Sequence, residues 1–184
     1  MIQYSREIFD ALSKGAFISA DSTSPQVRRW YDALDDGFQE YRAYYEGVGF
    51  ILESGDGFFY FSRKESKADL QRKLEVLLRW IDYIDFLKTF NSTFGPGFEF
   101  IPSDIVIAIS GDVELKDKAG RLFPGVKNFS EVAEKLTHEL EGIGFAEPLN
   151  VLEGSYRVTS AFHYIEEMMD IITISEEVKD EIPE

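Results

Sequence analysis

The residues able to do chemistry are few, and none stands in a pattern that catalysis or metal binding requires. His138 and His163 are the only histidines, and there is no cysteine. Disulfides, thiolate metal sites and cysteine nucleophiles are thereby excluded. The two histidines lie in no metal-ligand spacing. His138 directly precedes Glu139 on a predicted helix, so the two side chains diverge. Asp112-Val113-Glu114 opens like a calcium loop. Lys116, however, stands where an oxygen ligand is needed, and Asp117 where the loop needs glycine. Gly47 and Gly49 resemble part of a dinucleotide fingerprint, yet they precede a predicted strand and the third glycine is missing. Acidic residues are abundant, but acid–base catalysis needs two carboxyls forced together in an apolar pocket, and no such pair can be read here. A Gly-x-Ser-x-Gly elbow is absent. No catalytic, cofactor-binding or metal-binding residue is expected, and the chain reads as non-enzymatic.

Charge narrows the partners. The net charge of −15 opposes long-range approach to nucleic acid and to anionic membranes. Residues 166–184 hold eight acids against Lys179 alone, and 175–184 read as an acidic, solvated tail. Two basic clusters stand against this background. One is Arg63, Lys64, Lys67, Arg72 and Lys73, the candidate contacts to a nucleic-acid backbone. The other is Lys116, Lys118, Arg121 and Lys127. No apolar run approaches the roughly 20 residues of a membrane span. The first residues carry no secretory pattern, so a cytoplasmic location is expected.

The elements that position these residues are organised by a repeat. Glu46-Gly47-Val48-Gly49-Phe50 recurs 95 residues later as Glu141-Gly142-Ile143-Gly144-Phe145. Before the first copy, Ile8 and Leu12 mark a helix, Phe17-Ile18 a short strand, and Ser24-Pro25 a helix start. Val27, Tyr31 and Leu34 share one helical face, and Phe38, Tyr41 and Tyr45 another. Gly47 is expected to close the second of these helices in a left-handed conformation. A hairpin is predicted near 48–62, turning at Ser54-Gly55-Asp56-Gly57.

In the second half a long helix is predicted over 66–90, opened by Ser66, with an apolar stripe from Leu70 to Phe90. Phe98–Ile101 reads as a strand, and Ser103 as the cap of a short helix through Ile109. Residues 111–127 are ambiguous, with Asp117–Gly120 a possible hairpin tip. Asn128 caps the next helix, which Gly142 is expected to close. A second hairpin lies near 144–158, with a long turn from Glu147 to Gly154. A last helix runs from about Thr159 to Ile172. The pattern is α+β, predominantly helical, in the order of tandem winged-helix domains. The expected divisions are 1–64 for the first domain, 65–174 for the second including the linking helix, and 175–184 for the tail.

Winged helices commonly read DNA with their third helix. Here residues 36–46 carry Asp36, Glu40 and Glu46 with only Arg42, and 128–141 carry four glutamates with Lys135. Such helices repel phosphates, so DNA binding is expected to be weak or confined to an assembled complex. A winged-helix transcription regulator is the alternative, and it needs a basic third helix. The long stripe is wider than one small domain uses, which predicts self-association as a homodimer. Trp30, Tyr44 and Tyr45 are candidate partner anchors.

The chain resembles the MukE/MksE-type kleisin-interacting subunits of bacterial condensin-like complexes. The resemblance is carried by Tyr31-x-x-Leu34, Tyr41-Arg42-x-Tyr44-Tyr45-Glu46-x-x-Gly49-Phe50 and the Tyr60-Phe61 strand. It continues in Leu136-x-x-Glu139-Leu140-x-x-Ile143-Gly144-Phe145 and Tyr156-Arg157-Val158-Thr159-x-x-Phe162. It implies a subunit that binds a kleisin, works beside an SMC-type ATPase, and aids organisation of chromosomal or plasmid DNA at the nucleoid. It implies no catalytic residues.

Overall fold

The computed structural model describes residues 2–63 and 67–180, with side chains placed for 2–63 and 71–171. Lys64 and Ser66 therefore lie outside the described residues, as do the side chain of Lys67 and positions 181–184 of the tail. The fold is α+β and mainly helical.

The first half runs α1 (Ser5–Leu12), β1 (Ile18–Ser19), α2 (Pro25–Asp36), α3 (Phe38–Glu46), β2 (Ile51–Gly55) and β3 (Phe58–Ser62). Ser24 caps α2 by accepting from the Val27 N–H, and Pro25 occupies the first turn, where its missing donor costs nothing. β3 lies between β1 and β2, antiparallel to both. Ile8, Leu12, Leu34, Tyr41, Tyr45 and Leu52 close a first core against Phe59.

The second half runs α4 (Lys67–Phe90), β4 (Glu99–Phe100), α5 (Pro102–Gly111), α6 (Val113–Leu122), α7 (Phe129–Ile143), β5 (Ala146–Asn150), β6 (Ser155–Val158) and α8 (Phe162–Asp180). Its sheet repeats the strand order of the first, with β6 between β4 and β5. The second half adds α8 after its hairpin and α6 before α7, the latter in place of the ambiguous stretch and the hairpin tip expected at Asp117–Gly120. Asp112 accepts from the N–H groups of Glu114 and Leu115, a helix cap in place of a calcium loop. Leu115, Ala119 and Leu122 then fall on one buried face at i, i+4, i+7. Two i,i+4 pairs flank that face: Asp117–Arg121 in solvent, and Glu114–Lys118, whose lysine also reaches Asp85 of α4.

Several boundaries differ from expectation for local reasons. α5 begins at Pro102, with no side-chain cap from Ser103. β5 extends through Asn150 into the stretch read as a long turn, with an irregular register between Pro148 and Asn150. Proline is tolerated there because β5 is an edge strand and the missing N–H removes no ladder bond on the outer side. α8 starts at Phe162 and continues to Asp180, past Ile172 and into the segment expected to be tail.

The repeated pentapeptide makes one turn twice, but at its second glycine. Gly49 and Gly144 both take φ +86°, whereas Gly47 is right-handed and Gly142 lies inside α7. Phe50 N–H donates to Tyr45 O at 3.0 Å, and Phe145 N–H to Leu140 O at 2.9 Å. Gly49 and Gly144 donate to Glu46 O and Glu141 O, both at 3.0 Å. This paired six-to-one and five-to-two bonding is the Schellman closure. The copies differ in surroundings. Nothing stands within 4 Å of a Cβ built on Gly49, whereas one on Gly144 meets Phe17 O at 3.3 Å. Gly49→Ala should cost about 1–2 kcal/mol, the left-handed strain alone. Gly144→Ala should cost measurably more in a urea titration, because it also pushes on Phe17. Equal losses would contradict this placement.

Candidate functional site

The two halves meet along a polar seam and an aromatic junction. Glu147 at the start of β5 reaches the loop between β1 and α2. Its carboxylate accepts from Ser22 Oγ at 2.8 Å to each oxygen, from Thr23 N–H at 2.6 Å and from Thr23 Oγ1 at 2.9 Å. Asp21, in the same loop, accepts from Ser160 N–H at 2.9 Å and Ser160 Oγ at 2.8 Å. Phe17 N–H donates to Ile143 O at 3.1 Å. Several such charge-assisted bonds hold a fixed relation between the halves. These residues are 124 to 139 positions apart in sequence, and no local pattern announces them.

Beside the seam, Phe17 sits among Phe58, Tyr60, Phe145 and Tyr164, with ring centroids 5.1–5.7 Å away. Phe145 also packs edge-on against Trp80 at 5.1 Å and Phe162 at 5.9 Å. An apolar groove of about 410 Å³ opens at this junction, between the halves and the Lys73–Trp80 stretch of α4. Phe17, Tyr60, Phe61, Leu77 and Trp80 line it, with Lys73 also in its wall. Burial and the nearby Tyr164, Glu53 and Glu167 push the Tyr60 hydroxyl up to about 12, so it stays a neutral donor.

α4 changes character along its length. Trp80, Tyr83, Ile84, Phe86 and Leu87 are buried in the larger core. Burial therefore reaches beyond the predicted stripe, taking in Trp80, Tyr83 and Phe86 beside Ile84 and Leu87. The stripe's earlier members are uncovered: Leu74 is 57% exposed and Leu78 58%, one helical turn apart. They lie beside the groove residue Leu77.

The candidate partner anchors separate. Tyr44 is half exposed and shares a small groove with Arg6, Phe9 and Val48. Trp30 on α2 packs partly against the first core, and its indole N–H is buried without a hydrogen-bond partner. Tyr45 is corrected to the core. It is wholly buried, donates to Ser5 O at 2.9 Å, and burial raises its hydroxyl pKa. Its place on the Phe38–Tyr41–Tyr45 face was the signal for that.

Of the first basic cluster, the side chains of Arg63, Arg72 and Lys73 are among the described residues. Arg63 lies over the Phe50 ring, 3.9 Å from its centroid. Arg72 and Lys73 are exposed on α4. In the other cluster, Lys118 is held by Asp85 at 2.9 Å and Glu114 at 3.1 Å, and Arg121 by Asp117 at 3.2 Å. The hydrogen bond to Asp85 leads the upward shift of the Lys118 pKa. The outer face of α7 exposes Glu131, Glu134, Glu139 and Glu141. Its one lysine, Lys135, is paired to Glu131 at 2.9 Å. His138 is exposed, and His163 faces Glu166 at 3.2 Å. Among the described residues no three His, Cys, Asp or Glu side chains group as a metal site, and no helix is long and apolar enough to cross a membrane.

Comparison with known families gives a match. The family model described as condensin complex protein MksE covers residues 3–169, which spans both halves, the seam and the groove. No curated protein matches the chain.

Proposed function

The chain belongs to the MksE family of condensin complex proteins, and from that membership we propose that it is a non-enzymatic architectural subunit, built of two winged-helix domains, that binds a kleisin and works beside an SMC-type ATPase. The divisions 1–64 and 65–174 are kept as the domain reading. In support, both halves repeat one strand order and one glycine closure. The observation that carries the partner reading is the apolar groove where the halves meet, continued by exposed Leu74 and Leu78. Exposed apolar area of this kind is what a partner or a second copy covers. The reading includes a homodimer, with Trp30 and Tyr44 as further anchors.

DNA organisation at the nucleoid is assigned to the complex. Any contact by this chain falls to Arg63, Lys64, Lys67, Arg72 and Lys73. Such contacts go to phosphates, are indifferent to sequence and weaken steeply with salt. The transcription-regulator alternative loses support because α7 exposes four glutamates and a single, paired lysine.

Affinity purification of the tagged chain from its native cell tests the reading. An SMC-type ATPase and a kleisin should co-purify in constant ratio. A chain that returns alone, and binds one operator at nanomolar concentration in physiological salt, would instead be a regulator.

A further inference from the structure

Three charged side chains stand in a row across the second sheet. Arg157 on the central strand β6 is the register partner of Glu99 on β4 and of Glu147 on β5. Register partners point to one face of a sheet with their Cβ atoms about 4.5–5.5 Å apart, and opposite charges so placed attract. Arg157 is therefore within reach of both acids. It donates to one oxygen of Glu99, from Nη2 at 2.8 Å and from Nε at 3.2 Å. Glu147 turns away from its own sheet and holds the loop between β1 and α2 through Ser22 and Thr23. On the loop side, the Arg28 guanidinium is engaged with the Ser22 carbonyl. The clamp on the loop thus has an alternative partner for Glu147 already placed beside it.

We propose that Glu99, Arg157 and Glu147 form a relay that couples the exposed edge of the second sheet to the seam between the halves, so that neutralising Glu99 loosens the clamp. Two arrangements of one guanidinium define it. In the first, Arg157 pairs with Glu99 and Glu147 holds the loop. In the second, Arg157 pairs with Glu147 and the loop at Ser22 and Thr23 is released. Glu147 keeps a charge-assisted partner in both, which is what makes the exchange accessible. Glu99 is the receiving end, because it is half exposed on an edge strand, where a lysine or arginine of a partner can engage it. The coupling is reciprocal, so a released loop frees Glu99 in turn. Its size is small, because ion pairs this exposed shift a population by only about twofold to fivefold. The halves stay together throughout, since Asp21 keeps its bonds to Ser160. The relay rests on the register and the hydrogen bonds alone and needs no reading of the protein's function.

Amide hydrogen exchange of the full chain, followed residue by residue in NMR spectra at fixed pH, tests it. The Thr23 N–H donates to Glu147 and reports the clamp, whereas the Ser160 N–H donates to Asp21 and reports the rest of the seam. The Phe145 N–H, bonded to Leu140 O, reports the core. The variants are Glu99→Gln, Arg157→Met and the two combined. Neither position adjoins Thr23 in sequence, so a changed rate there reads opening. Glu99→Gln should speed exchange at Thr23 about twofold to fivefold and leave Ser160 and Phe145 as in the parent. With Arg157→Met already present, Glu99→Gln should change nothing at Thr23, because the relay has lost its middle member. Melting temperature checks that each variant folds, and Arg157→Gln replaces Arg157→Met if that one does not. The proposal is overturned if Glu99→Gln leaves Thr23 unchanged or slows it, if it speeds all three amides alike, or if it acts equally with and without Arg157.

Discussion

Phe145→Ala should remove about 3–5 kcal/mol of stability, the range for truncating a fully buried aromatic ring. Phe145 is 1% exposed and meets Phe17, Trp80 and Phe162. One ring thus ties α4, α8 and the first half together. Its counterpart in the repeat, Phe50, follows the same glycine closure but remains partly exposed, against Phe9, Phe61 and the Arg63 guanidinium. Phe50→Ala should cost about 1–2 kcal/mol, because much less area leaves water when that ring packs. Urea unfolding at constant m-value measures both. The asymmetry has a structural cause: the second pentapeptide faces the junction of the halves, and the first faces outward. Equal losses, or a larger loss at Phe50, would mean that the junction is not the mechanical centre of the fold.

That asymmetry was not legible in the sequence, although the repeat was. Two identical spacings gave two identical turns, because a Schellman closure depends only on local bonding. Which glycine turns left-handed depends on where the helix runs out, and in both copies it is the second glycine, two residues beyond the one expected. α6 was hidden for a related reason. Its single apolar face is narrow, and the Lys116–Gly120 stretch carries enough charge and glycine to read as a turn. The helix forms because Asp112 caps it and the charges pair four residues apart. The Glu147 clamp on Ser22 and Thr23 was beyond any reading by spacing, since its partners are 124 and 125 residues away. Tyr45 shows the opposite error. Its helical face pointed to the core, and the general expectation that surplus aromatics serve partners pulled it outward.

Leu74→Ser with Leu78→Ser should abolish self-association without loosening the fold. The two leucines are 57% and 58% exposed, one turn apart, on the part of α4 that precedes its buried residues. Burying the exposed half of one leucine contributes about 1 kcal/mol. A twofold interface uses each residue from both copies, so four side chains contribute about 4 kcal/mol, or roughly a thousandfold in the dimer dissociation constant. Because neither side chain is in a core cluster, the double variant should melt as the parent does at a concentration where both are monomeric. Trp80→Ala is the contrasting variant. Trp80 is 6% exposed and stacks edge-on against Tyr83 at 5.2 Å, so its loss should lower stability by about 3 kcal/mol or more wherever the dimer forms. Sedimentation over a range from micromolar upward separates the two effects. A parent chain that stays at its 21.1 kDa monomer mass throughout would assign the leucine ridge to the partner alone. A double variant that dimerises as tightly as the parent would move the self-association surface away from Leu74 and Leu78.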